Sequence, residues 1–182
     1  MAFITLNEIF DLVIMTLVVG FIFKGMFRTP ATEITNKYDD FKIAVILTAP
    51  AIILHEMAHK FTALVLGVQA TFHAAYMWLG IGVLLKLISP GFIFFVPGYV
   101  SHQVAITPLQ LTLIAFAGPF LNLVLWLGSS AVLKYNKSVP LRTEYILIAT
   151  KRINMFLFFF NMIPLGFFDG ARVLQGLIGL FS

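Results

Sequence analysis

His55 and His59 stand four residues apart, and Glu56 lies beside the first of them. On a helix this spacing puts both imidazoles on one face, one turn apart, close enough to share a metal ion. The Glu56 carboxylate then sits next to a ligand without being one, within reach of a water on the metal. Zinc lowers the pKa of such a water to ~7, and a neighbouring carboxylate can take its proton. The hydroxide so made is aimed at a carbonyl that the metal polarises. The triplet falls deep in an otherwise apolar segment, where ionisable groups are costly and usually functional.

Two histidines leave such a metal one protein ligand short. His73 and His102 are candidates, each alone in a less regular region. Asp169 is the stronger one. It lies in Phe167-Phe168-Asp169-Gly170, among apolar residues that would make an unpaired carboxylate expensive. Asn161 and Pro164 can break the helix upstream, because proline lacks the backbone donor and clashes with the preceding turn. Read by itself, Asp169 also suits the cap of a short C-terminal helix. Beside a two-histidine site lacking a ligand, the metal role is the better account. The chain has no cysteine, so thiolate sites and disulfides are excluded.

The elements that must position these residues are membrane helices. Of 182 residues, 60% are hydrophobic and only 11% are charged. A soluble domain of this size could not cover itself with so few charges. The expected fold is an α-helical polytopic membrane protein. It has about four transmembrane helices, a re-entrant hairpin or strand element between the second and third, and a broken last helix. A single membrane-embedded domain, 1–182, is expected. The first span covers roughly Asn7 to Phe23; Glu8 and Asp11 without a basic flank make it a retained span rather than a cleaved signal. A polar link follows, Lys24 to Asp40. The zinc-motif helix is placed at 41–67, ended by Gly67.

Residues 69–101 are apolar but punctuated by glycine and proline. Phe92 to Tyr99 reads as strand, and a kinked span from Tyr76 to Val96 is the alternative. A third span is placed at 108–134 and the broken last helix at 144–181. Lys60 and Lys86 are expected to snorkel toward an interface. Asp11 is expected near an interface or paired with another helix. The net charge of +4 belongs with membrane orientation, and no basic patch suggests nucleic acid.

The motifs resemble those of the site-2 protease family of intramembrane zinc metalloproteases. His55-Glu56-Met57-Ala58-His59 carries H-E-x-x-H. Asn161-Met162-Ile163-Pro164-Leu165-Gly166-Phe167-Phe168-Asp169-Gly170 matches N-x-x-P-x-x-x-x-D-G. Gly118-Pro119-x-x-Asn122 between them is also similar, and the order is the family's. The resemblance implies a core of three helices around one zinc ion below the membrane surface. It implies His55, His59 and Asp169 as ligands, Glu56 as catalytic base, and a re-entrant strand element after the first motif. It also implies a transmembrane protein as substrate, cut within the bilayer. Asn122 and Asn161 fall where family asparagines contact substrate backbone or the oxyanion; their alternative role is polar helix packing.

Two other functions fit the same residues less well. A membrane metal transporter has no need of Glu56 beside a ligand, and its path would need polar groups toward both faces. A proteolytically silent binder of transmembrane segments would not need an intact Glu56. Substrate identity and oligomeric state are not written in the sequence. If the chain cuts helical substrates, it must hold an unwound stretch of peptide. A strand edge at Phe92 to Tyr99 is the expected device.

Overall fold

The computed structural model describes residues 3–27, 37–89, 91, 94, 96–102, 105–136 and 138–182. The elements run α1 (Leu6–Phe23), α2 (Lys37–Val65), β1 (Ala70–Ala74), α3 (Tyr76–Ile88), β2 (Gly98–His102), α4 (Pro108–Tyr135), α5 (Leu141–Asn161) and α6 (Asp169–Gly179). Three helical segments are long and apolar enough to cross a membrane: Leu6–Phe23, Asp40–Val65 and Pro108–Tyr135. The fourth expected span, α5, has the length at 21 residues but carries Lys151 and Arg152 midway along it. Phe10, Leu17, Phe61, Phe120 and Leu127 are among the large side chains left exposed on the three apolar helices. Lipid covers such surface where water cannot. This is a polytopic α-helical membrane fold.

The chain divides into two compact units, Met1–Ile53 with Phe72–Ser101, and Leu54–Thr71 with His102–Ser182. In the first unit, Thr5 opens α1 with a capping box: its hydroxyl accepts from the Glu8 N–H, and its own N–H donates to Glu8 at 2.8 Å. Gly20 lets α1 approach α2, since a Cβ there would lie 2.3 Å from a Val45 methyl.

The acidic residues of α1 have a second use. The Phe72 N–H donates to Glu8 at 2.8 Å and the Ala74 N–H to Asp11 at 3.0 Å. The Tyr76 hydroxyl also donates to Asp11. Alternate N–H groups of β1 are thus held by α1, while Ala75 N–H points the other way, to the Pro97 carbonyl. Asp11, expected near an interface or paired with another helix, does bond to a second helix through Tyr76 at the start of α3, and it holds a strand as well. A buried N–H stripped of a charged acceptor costs about 1–3 kcal/mol. Glu8→Ala should therefore lower the thermal midpoint of the purified protein, and an unchanged midpoint would show that the Phe72 bond contributes nothing.

The region 69–101 combines both expectations. It contains two strands, paired as one sheet, and between them a 13-residue helix too short to span. Of the strand expected at Phe92 to Tyr99, Gly98 and Tyr99 lie in β2. Phe94, Val96 and Pro97 lie in no regular element, and β2 begins only at Gly98. Phe92, Ile93 and Phe95 lie outside the described residues, as do 28–36 of the polar link. Pro97 explains the late start, because it cannot donate to a ladder. Lys60, expected to snorkel, is 3% exposed, its side chain buried within the protein.

In the second unit, Gly67 ends α2 at φ +74°, with the Val68 N–H on Ala63 O and the Gly67 N–H on Leu64 O. This is the Schellman arrangement, which glycine adopts without strain. A Thr107–Gln110 capping box opens α4, and the Gln110 amide also donates to Leu66 O at 3.3 Å, tying the start of α4 to the end of α2.

Candidate metal centre

Four helices of the second unit bring the site together. The end of α2 presents His55, Glu56 and His59, which are 5%, 3% and 6% exposed. Asp169 is the first residue of α6. Its position follows from the break after Asn161. A Cβ on Gly170 would lie 2.3 Å from Met162 O, so only glycine lets α6 start against the unwound backbone. Farther along, Gly176 packs on α4, where a Cβ would lie 2.2 Å from Thr112 Oγ1 and 2.8 Å from Pro108 O. The N-x-x-P-x-x-x-x-D-G pattern thus does two local jobs: it ends α5 and it restarts the chain with a carboxylate facing α2.

Three donor atoms converge. His55 Nε2 lies 3.1 Å from His59 Nε2 and 3.1 Å from Asp169 Oδ2, and His59 Nε2 lies 3.3 Å from the same oxygen. Ligands at the usual ~2.0–2.1 Å from a tetrahedral zinc are about 3.3 Å apart along each edge. The triangle has the size of one face of that tetrahedron. The other ring nitrogens are occupied. His55 Nδ1 donates to Asn122 Oδ1, and His59 Nδ1 donates to Ile114 O at 2.7 Å. With the protons on Nδ1, two imidazole lone pairs and a carboxylate oxygen face one another. That trio is repulsive unless a cation sits among them, and fixing Nδ1 in this way is how proteins orient metal-binding imidazoles.

The wall opposite is bare. A Cβ on Gly118 would lie 2.3 Å from His59 Nε2 and 2.7 Å from His55 Nε2. A methyl there would occupy the space the donor atoms surround. The Gly118-Pro119 pair, a weak motif in sequence, therefore has a direct steric reason in its first residue. His55, His59 and Asp169 form a group able to hold a metal, and the donor set, its edge lengths and the cradle at Gly118 all fit zinc.

The other candidates sit elsewhere. His73 Nε2 contacts Ser101 Oγ at 3.1 Å on the sheet, and its ring packs against Tyr99. His102 lies on β2 outside the group; its Nε2 is buried with no hydrogen-bond partner among the described residues, and burial and nearby Arg172 and His59 lower its pKa. Asn161 is half-buried at the end of α5, its amide donating to Leu157 O at 3.0 Å. Asn122, expected at substrate or oxyanion, has its oxygen on the His55 ring and its NH2 on Asn154 Oδ1 at 2.8 Å. Asn154 was missed in the sequence, although an amide in the middle of a mostly apolar helix is a signal by cost alone.

This assembly is a buried group able to hold a metal, with a carboxylate beside it, in a chain that has membrane-length apolar helices. The chain is 35% identical to the protein named "Putative zinc metalloprotease" in Methanocaldococcus jannaschii, over 170 residues that make up 93% of this chain and 84% of that one. It is 27% identical over 136 residues to a protein of the same name in Synechocystis, covering 75% of this chain but only 31% of that longer relative. No protein-family model and no solved structure matches it. The chain belongs to this zinc metalloprotease family.

Proposed function

We propose that the chain is an intramembrane zinc metalloprotease of the site-2 protease type, hydrolysing peptide bonds within or near transmembrane segments of other membrane proteins. The observation that carries this reading is the buried convergence of His55 Nε2, His59 Nε2 and Asp169 Oδ2 on one small space, in a chain built of membrane-length helices. In this reading His55, His59 and Asp169 hold a single zinc ion. When bound, zinc supplies Lewis acidity and a water acidified to pKa ~7. Glu56 would act as general base, its carboxylate taking a proton from the attacking water and passing it to the leaving amine. Its burial keeps bulk water from competing for that proton. Asn161, beside the helix break, contacts the substrate backbone.

A helical substrate hides its carbonyls in i to i−4 hydrogen bonds, so the peptide must be held extended. An unpaired strand edge supplies backbone donors and acceptors for this. Helix-breaking substrates should then be favoured. Purified protein in lipid vesicles, given single-span substrates that differ only by Gly-Pro or Leu-Leu at the cut region, should cleave the Gly-Pro version faster. Equal rates would remove strand addition from the account. Zinc flux across the vesicles without any cleavage would favour a transporter, and substrate capture without cleavage a silent binder.

A further inference from the structure

We propose that Asn154 is a positioning residue that fixes, through Asn122, which ring nitrogen of His55 carries the proton. The inference rests on the reading of His55 as a zinc ligand. Four groups form one buried chain: His55 Nδ1 meets Asn122 Oδ1, Asn122 Nδ2 meets Asn154 Oδ1 at 2.8 Å, and Asn154 Nδ2 meets Thr150 O at 2.8 Å. Asn122 and Asn154 are both 0% exposed, so water does not complete or reverse the chain.

The direction of the chain is set at its far end. The Thr150 carbonyl can only accept, so Asn154 must turn its NH2 toward it. The Asn154 oxygen then faces Asn122 and can only accept, which turns the Asn122 NH2 toward Asn154. The Asn122 oxygen is left facing His55, so His55 must donate from Nδ1, and its Nε2 lone pair is free for a metal. His59 needs no such relay, because its Nδ1 partner is a backbone carbonyl that cannot turn over. The acceptor for His55 is a side-chain amide with a donor on its other arm. Without Asn154 that amide can reverse, present its NH2 to Nδ1, and push the His55 proton onto Nε2, where a metal would bind. A backbone carbonyl on α5 therefore determines the tautomer of a ligand on α2.

The test is zinc affinity by chelator competition on the purified full-length chain, with thermal midpoints of the metal-free proteins alongside. Loss of such an orienting partner typically weakens metal binding ~10–100-fold, and Asn154→Leu should do so. Asn122→Asp gives His55 an acceptor that reads the same whichever way it turns. In that background Asn154→Leu should change affinity by less than about threefold, while any packing defect in the thermal midpoint persists. Wild-type affinity in Asn154→Leu, or an undiminished loss in the N122D background, would each overturn the relay. A wild-type chain that binds no zinc would overturn the metal reading and the relay with it.

Discussion

Glu56→Gln is expected to abolish substrate cleavage while leaving zinc in place. The two side chains are nearly isosteric, so the buried packing at Glu56 survives. What is lost is a proton acceptor, and removal of a positioned general base typically costs ~10²–10⁴-fold in rate. Asp169→Ala should behave differently, losing zinc as well as activity, because its Oδ2 is one corner of the donor triangle. Metal per chain and cleavage rate, measured on the same preparations, separate the two roles. Full zinc occupancy and unchanged affinity in Asp169→Ala would remove it from the ligand set. Substantial cleavage by Glu56→Gln would remove Glu56 from the chemistry.

The second large effect is expected from the smallest change. Gly118→Ala adds one methyl, and the structure places it 2.3 Å from His59 Nε2 and 2.7 Å from His55 Nε2. Neither ring can retreat cheaply, because each is anchored at Nδ1, by Asn122 and by the Ile114 carbonyl. Overpacking of this kind costs about 1–3 kcal/mol of stability, which a membrane helix bundle can survive. The metal site cannot, since the methyl takes the space among the donor atoms. Gly118→Ala should bind little zinc and show no cleavage, yet retain its helical circular-dichroism spectrum. Normal zinc content in this variant would show that the metal sits elsewhere.

Local rules carried much of the site. The His55–His59 spacing is a property of one helix, and one turn of that helix suffices to read it. Asp169 was reachable because an apolar flank makes a carboxylate expensive and because the two histidines lacked a third ligand. What local rules missed was tertiary. Asn154 has no motif, and its meaning comes from meeting Asn122 on a different helix. Gly82 reads as a helix breaker, but it sits inside α3 and serves close approach: a Cβ there would lie 2.6 Å from the Phe94 carbonyl. β-branched and aromatic residues at 92–96 have strand propensity, but the described strand is Gly98–His102, and a strand needs a partner as well as propensity. Ala70–Ala74 supplies that partner opposite Gly98–His102.

The most direct measurement maps the cut itself. Purified wild-type protein is stripped with a chelator, reloaded with one zinc per chain, and incubated with a single-span substrate, and the product masses are read by mass spectrometry. The proposed function predicts no products from the stripped protein. After reloading it predicts a cut at one or a few bonds inside or at the edge of the substrate's apolar segment. Products that form equally well without zinc, or that all map to soluble loops far from that segment, would contradict it.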